Sequence, residues 1–153
     1  MKFNTIVLSK FAVAAMVASG MAGCATNSPK EAVSTKEAPA AIGPYSQAIR
    51  VGNMLFLAGQ IAIDPKSGQM NTGSIEEQTK LTMENLKAVL AASGMTMDHV
   101  VSTSVFLKDL NDFAKMNAVY GTYFKDNPPA RATVQVARLP RDALVEISAV
   151  AVK

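Results

Sequence analysis

The clearest regularity in the chain is a run of side chains with a helical period. Ile75, Thr79, Thr82, Leu86, Val89 and Leu90 fall on one face when wound at about 3.6 residues per turn. Ser74, followed three positions later by Glu77, has the form of a capping box, and Gly94 ends the run as a C-terminal stop. The pattern predicts a helix between them with that face buried against a sheet. A second stripe, Phe113, Met116, Tyr120, Tyr123 and Phe124, begins after Asp109-Leu110-Asn111 and predicts a second helix, ended by Pro128-Pro129. Asn117 lies in this stripe. A buried asparagine needs partners, which predicts that it braces a neighbouring loop.

Around the helices the apolar spacing becomes that of strands. Residues 45–51 and 54–60 flank Gly52-Asn53 and predict a hairpin, Asp64-Pro65-Lys66-Ser67-Gly68 a turn, and the β-branched run 100–107 a further strand. From Pro128 to Ile147 the chain reads as two short strands joined at Leu139-Pro140. The order is strand, strand, helix, strand, helix, strand, strand: an α+β chain whose two helices cover one face of a sheet. Residues 144–152 and much of 54–63 are nevertheless apolar on both faces. The face without helices therefore needs a cover, most simply further copies of the same chain.

Composition changes the picture at the N-terminus. Of 153 residues, the first 24 have a lysine-bearing start, an apolar middle and the small-residue end Ala22-Gly23-Cys24, which is the form of a secretory signal. The chain's single cysteine follows Ala22-Gly23 and so resembles a bacterial lipobox, with Met21 where leucine is usual. That resemblance implies cleavage before Cys24, lipidation of its thiol and amino group, a lipid anchor to the membrane and a periplasmic location. Ala25, which is not aspartate, implies the outer membrane; a plain secretory signal would instead leave Cys24 as a free thiol. Residues 25–40 are small, polar and proline-punctuated and predict a flexible tether, with a single domain over 41–153. Losing Lys2 and Lys10 with the signal leaves 13 of 15 basic residues against 12 acidic ones. No basic block remains to argue for a nucleic-acid partner. His99 is the lone histidine and predicts a loop residue rather than a metal ligand.

Two charged residues stand out in the strand-like C-terminal third. Arg131 opens one strand and Glu146 interrupts another, between Val145 and Ile147. A charge in a buried strand needs a partner. Arg131, whose planar fork matches a carboxylate, either pairs with Glu146 or binds the carboxylate of a small ligand and leaves Glu146 free for chemistry. The plain alternative is that both lie at a solvated rim.

The segments Ala40-Ala41-Ile42-Gly43-Pro44-Tyr45-Ser46-Gln47-Ala48, Leu57-Ala58-Gly59-Gln60-Ile61, Val105-Phe106-Leu107-Lys108-Asp109-Leu110-Asn111-Asp112-Phe113, Pro129-Ala130-Arg131-Ala132-Thr133-Val134, Leu139-Pro140 and Val145-Glu146-Ile147 occur in this order. With them, residues 38–153 resemble the RidA family, also called the YjgF/YER057c/UK family. The resemblance implies a chorismate-mutase-like fold, a homotrimer with its sheets in a barrel and its helices outside, and sites in the clefts between subunits. It implies that Arg131 binds the substrate carboxylate and that Glu146 positions or activates water. It also implies that Tyr45 lines the cleft, that backbone groups of Gly59 and Thr133 contact ligand or water, and that Asn117 lies near the site. Some members have serine at the position of Ala58 and cysteine at that of Thr133. The implied activity is hydrolysis of enamines and imines, such as 2-aminoacrylate and 2-imino acids, to 2-oxo acids and ammonia, with no cofactor or metal. The alternative is a non-catalytic, ligand-binding or chaperone-like trimer tethered to the membrane.

Overall fold

The computed structural model describes residues 28–153, so the expected signal over 1–24 and the lipidation site Cys24 lie outside the described residues. The first element, β1 (Lys30–Val33), pairs antiparallel with β2 (Ala48–Val51), which turns at Gly52 (φ 58°) into β3 (Met54–Gln60). Among the described residues, 28–40, this corrects the flexible tether expected over 25–40. Residues 30–33 extend the sheet, and Ala38 is buried in the core. The strand escapes sequence inspection because it is a short, charged edge strand, a composition that protects edges from pairing with other chains. The strand expected over 45–51 starts later, at Ala48.

Helix α1 (Ile75–Ala92) has the expected boundaries. The Ser74 hydroxyl accepts from the Glu77 N–H (3.3 Å) while the Glu77 carboxylate accepts from the Ser74 N–H (2.9 Å). At its other end Gly94 takes φ 71°, and two cations meet the last carbonyls: the Arg50 guanidinium donates to Ser93 O and Lys153 Nζ to Gly94 O (3.2 Å). Both complement the negative end of the helix dipole. Strand β4 (Val100–Leu107) follows, then α2 (Phe113–Tyr120), β5 (Ala130–Gln135) and β6 (Val145–Val152). Helix α2 is shorter than its stripe suggests, because Gly121 begins a 3-10 turn to Tyr123; Phe124 still packs its ring 4.8 Å from that of Tyr120.

The sheet order is β1-β2-β3-β6-β4-β5, with β4 and β5 parallel and every other pair antiparallel. The two strands joined at Leu139-Pro140 are therefore not neighbours: β4 lies between them. Leu55 and Leu57 of β3, Val105 and Leu107 of β4, and Val145, Ile147, Ala149 and Ala151 of β6 point to one side. There they meet Met83, Leu86, Val89 and Leu90 of α1 and Met116 and Tyr120 of α2. Each fully buried leucine contributes on the order of 2 kcal/mol. On the opposite side Met54, Phe56 and Val134 are exposed, at 37%, 43% and 46%. That face carries no helix, as the doubly apolar strands predicted. No helix among the described residues is long and apolar enough to cross a membrane.

Candidate functional site

Glu146 sits on the helix-free face of the central strand β6, in register with Phe106 of β4. Its carboxylate lies against the backbone of Gly59, where the β3–β6 register slips between Leu57 and Gln60. A β-bulge of this kind adds a residue to one strand and re-aims its neighbours. The absence of a side chain at Gly59 is what admits the carboxylate. A Cβ there would lie 2.8 Å from Glu146 Cδ and 3.0 Å from Cγ, and closer still to Oε1. Among the described residues Glu146 has no hydrogen-bond or salt-bridge partner. Half-buried and unpartnered, it has its pKa pushed above the ordinary carboxylate value by desolvation.

The carboxylate opens into a cleft of about 320 Å³ whose other walls are Tyr45, Ile61, Ile63, Pro140 and the 39–42 segment. Two buried amides hold these walls in place. Gln47 donates from Nε2 to the carbonyls of Thr35 (3.0 Å), Ala38 (3.2 Å) and Pro39 (2.7 Å) and accepts from the Thr35 N–H (2.6 Å). Asn85 donates from α1 to the carbonyls of Ile61 (3.1 Å) and Ile63 (2.9 Å). Tyr45, half exposed, stands at the mouth and accepts from the Ile42 N–H at 3.4 Å. It is not the core-edge ring that a tyrosine beside a turn suggests.

Arg131 lies elsewhere. On the edge strand β5 it is in register with Thr103, which in turn faces Ala149; both of those are buried on the helix side. Arg131 and Glu146 therefore point to opposite faces of the sheet with β4 between their strands, roughly 10 Å across at the usual strand spacing. The ion pair considered from the sequence does not form within one chain. The Arg131 guanidinium instead stacks 4.5 Å from the centroid of the Tyr120 ring and 5.6 Å from that of Phe113, and Nη2 donates to Asn117 Oδ1 at 2.8 Å. Asn117 is exposed and orients Arg131; the loop-bracing role expected of it is not what it performs. Thr133, two residues on along the same face, has a buried hydroxyl without a partner among the described residues. His99 closes a 3-10 turn, its Nδ1 accepting from the Thr96 N–H (3.0 Å). Among the described residues no group of three or more His, Cys, Asp or Glu side chains could hold a metal ion.

The structure thus brings Glu146, Gly59 and Tyr45 together at one place, and Arg131, Asn117 and Thr133 at another. Sequence reasoning missed Gln47 and Tyr120 as supports of the two groups. The signal for Gln47 was a lone amide at the entry to an apolar hairpin; Tyr120 reads as an ordinary core residue until Arg131 is placed over it.

A small α+β chain with a bare sheet face, a bulge-seated carboxylate and an edge-strand arginine defines a narrow class of fold. The chain belongs to the endoribonuclease L-PSP family, which it matches over residues 35–153, and the RidA resemblance of its sequence is borne out. It is 55% identical over 124 residues to a RutC family protein of Pyrococcus horikoshii, covering 81% of this chain and 98% of that one. It is 48% identical, again over 124 residues, to the 2-iminobutanoate/2-iminopropanoate deaminase of Mus musculus, covering 81% and 92%. Among solved structures it is similar to Escherichia coli TdcF with bound serine, at 41% identity and a TM-score of 0.77, over 80% of this chain and 98% of that one. The RidA-like fold, a mixed sheet with two helices, is accordingly the fold of this chain.

Proposed function

We propose that the protein hydrolyses 2-imino acids, and the enamines that tautomerise to them, to 2-oxo acids and ammonia. One observation carries the reading: a half-buried carboxylate, Glu146, with a raised pKa and no partner of its own, faces a cleft of small-molecule size. The mouse relative's name places 2-imino acid deamination within the family, and the serine bound to TdcF is a small ligand with the same carboxylate.

Water held by Glu146 adds to C2 of the imine as the carboxylate takes one of its protons. The protonated Glu146 returns that proton to the imine nitrogen, giving a neutral tetrahedral carbinolamine. In its collapse the hydroxyl proton passes by way of Glu146 to the departing nitrogen as the C2–N bond breaks, C2 becomes a carbonyl and ammonia leaves. A raised carboxylate pKa lies nearer the working pH and so suits a base that must also return the proton. Arg131 binds the substrate carboxylate, and much of the acceleration comes from orientation. Because Arg131 and Glu146 face opposite ways in one chain, the complete site takes Glu146, Gly59 and Tyr45 from one copy and Arg131, Asn117 and Thr133 from the next. Homotrimeric assembly, typical of the family, supplies that neighbour and covers the bare face bearing Phe56 and Val134.

Phosphodiester cleavage, which the family's description mentions, fits the site less well: the described cleft lining holds no basic side chain and the neighbouring copy's Arg131 adds one, whereas a polynucleotide backbone is tracked by several. The reading also includes export: the 1–24 signal and Cys24 would tether the trimer by lipid to the periplasmic side of a membrane, probing imines formed there.

The test generates 2-imino acids in place with an amino acid oxidase and follows their capture by semicarbazide. The wild type is expected to suppress capture, and Arg131→Ala and Glu146→Ala to fail while remaining folded oligomers. A wild type inert toward small and bulky imino acids alike would overturn the reading.

A further inference from the structure

We infer that Tyr120 is a positioning residue which fixes the Arg131 guanidinium for carboxylate binding through the face of its ring. The inference rests on the reading of Arg131 as the carboxylate site. Tyr120 is only 4% exposed, on the last turn of α2, and its hydroxyl makes a 2.7 Å hydrogen bond to Thr103 Oγ1 on β4. Thr103 is the residue in register with Arg131 on β5. The ring is thus tied by its hydroxyl to the strand beside the one that carries the arginine. Its face, 4.5 Å from Arg131 Cζ, is a fixed shelf. Phe113 at 5.6 Å and Asn117 Oδ1 at 2.8 Å complete three sides of an enclosure.

Three contacts of two kinds, two aromatic rings and one hydrogen-bond acceptor, restrict the plane of the guanidinium as well as its position. A stacked ring holds the tilt, and an in-plane acceptor on one Nη holds the rotation. The guanidinium has five N–H donors, and Asn117 accepts from one nitrogen, so donors remain for a ligand carboxylate. A free arginine side chain loses rotamer freedom when it clamps a ligand, and this enclosure meets that cost before the ligand arrives. Burial raises the Tyr120 pKa, so the ring stays neutral.

The experiment places phenylalanine and pentafluorophenylalanine at position 120 of the whole protein. Both keep the ring's shape; the second reverses the charge on its face. With 2-imino acids produced by the oxidase, Tyr120→Phe, which loses the tie to Thr103 and keeps the ring's face, is expected to raise KM about threefold. The fluorinated ring is expected to raise KM about tenfold with kcat changed less than twofold. A merely structural role would leave the two variants alike, and equal KM values for them overturn the inference.

A second readout needs no turnover. The Arg131 Nε–H proton resonance in the ligand-free protein should be shifted by the ring current of Tyr120, retained in Tyr120→Phe and lost in Tyr120→Leu. A resonance that ignores the loss of the ring overturns the inference whatever the reaction proves to be. An inert wild type with the ring-current shift present overturns the deaminase reading and leaves the shelf standing.

Discussion

Replacing Gly59 by alanine separates the geometry of Glu146 from the stability of the fold. The new methyl would lie 2.8 Å from Glu146 Cδ and 3.0 Å from Cγ, and nearer to Oε1, where ordinary contact begins at 3.4 Å. The carboxylate must therefore retreat by on the order of 1 Å, and a misplacement of that size can cost about 100-fold in rate. Stability should change little. The obstructed atoms are the free end of a side chain bordering an open cleft, so displacing them costs about 0.5–1.5 kcal/mol of rotamer strain. Gly59 does not hold a positive φ, so alanine also gains about 0.4–1 kcal/mol by restricting the unfolded chain. The two nearly cancel. The semicarbazide-capture assay should show kcat/KM falling about 100-fold with the melting temperature within a few degrees of the wild type. The pH–rate profile adds a sign. The proposed mechanism requires the Glu146 anion, and desolvation raises its pKa, so the wild-type acid limb should lie above that of an ordinary glutamate. A carboxylate pushed outward is better solvated, and the limb should move to lower pH. Full activity in Gly59→Ala with an unchanged limb would refute the seating of the catalytic carboxylate on this bulge.

Other outcomes follow from the same geometry. Glu146→Gln should abolish turnover yet stabilise the protein at neutral pH. The raised pKa means that the folded state binds the Glu146 proton more tightly than the unfolded state, so the charged group costs stability above its folded pKa. The difference in melting temperature should vanish below the unfolded carboxylate value, near pH 4.5; a gain that persists there would point to another cause. Gln47→Ala should cost about 3 kcal/mol, since it strands the carbonyls of Thr35, Ala38 and Pro39, and should raise KM by loosening the 39–42 wall; thermal melting and kinetics read both. On the proposed lipid anchor, Cys24→Ser should move the protein from the membrane fraction to the soluble one, and an unchanged distribution would rule out lipidation at Cys24.

What the sequence discloses about this fold is local. The α1 boundaries rest on Ser74, Glu77 and Gly94, whose capping chemistry is decided within a few residues, and the first hairpin turns where Gly52 permits φ 58°. The bare sheet face was likewise legible, because residues 144–152 are apolar at both parities. Long-range order was not. Nothing near Leu139-Pro140 reveals that β4 inserts between β5 and β6, nor the two registers that put Arg131 and Glu146 on opposite faces. The charged strand β1 is held by the edge of β2, and Gln47 ties down residues 35–39 that follow it, so its local propensity said little. At the site the charged residues were identifiable by their improbable surroundings. Their supports, Gln47 and Tyr120, look like ordinary residues until the chain is folded.

In the proposed site Glu146 of one copy meets Arg131 of another, and mixed trimers probe that sharing. Arg131→Ala and Glu146→Ala are each expected to be inactive. Unfolded together and refolded at equal amounts, they should form trimers in which about a quarter of the clefts receive an intact Arg131 from one chain and an intact Glu146 from its neighbour. The prediction is recovery of about a quarter of wild-type imine hydrolysis. Mixed trimers confirmed by mass spectrometry that recover none would contradict the shared site.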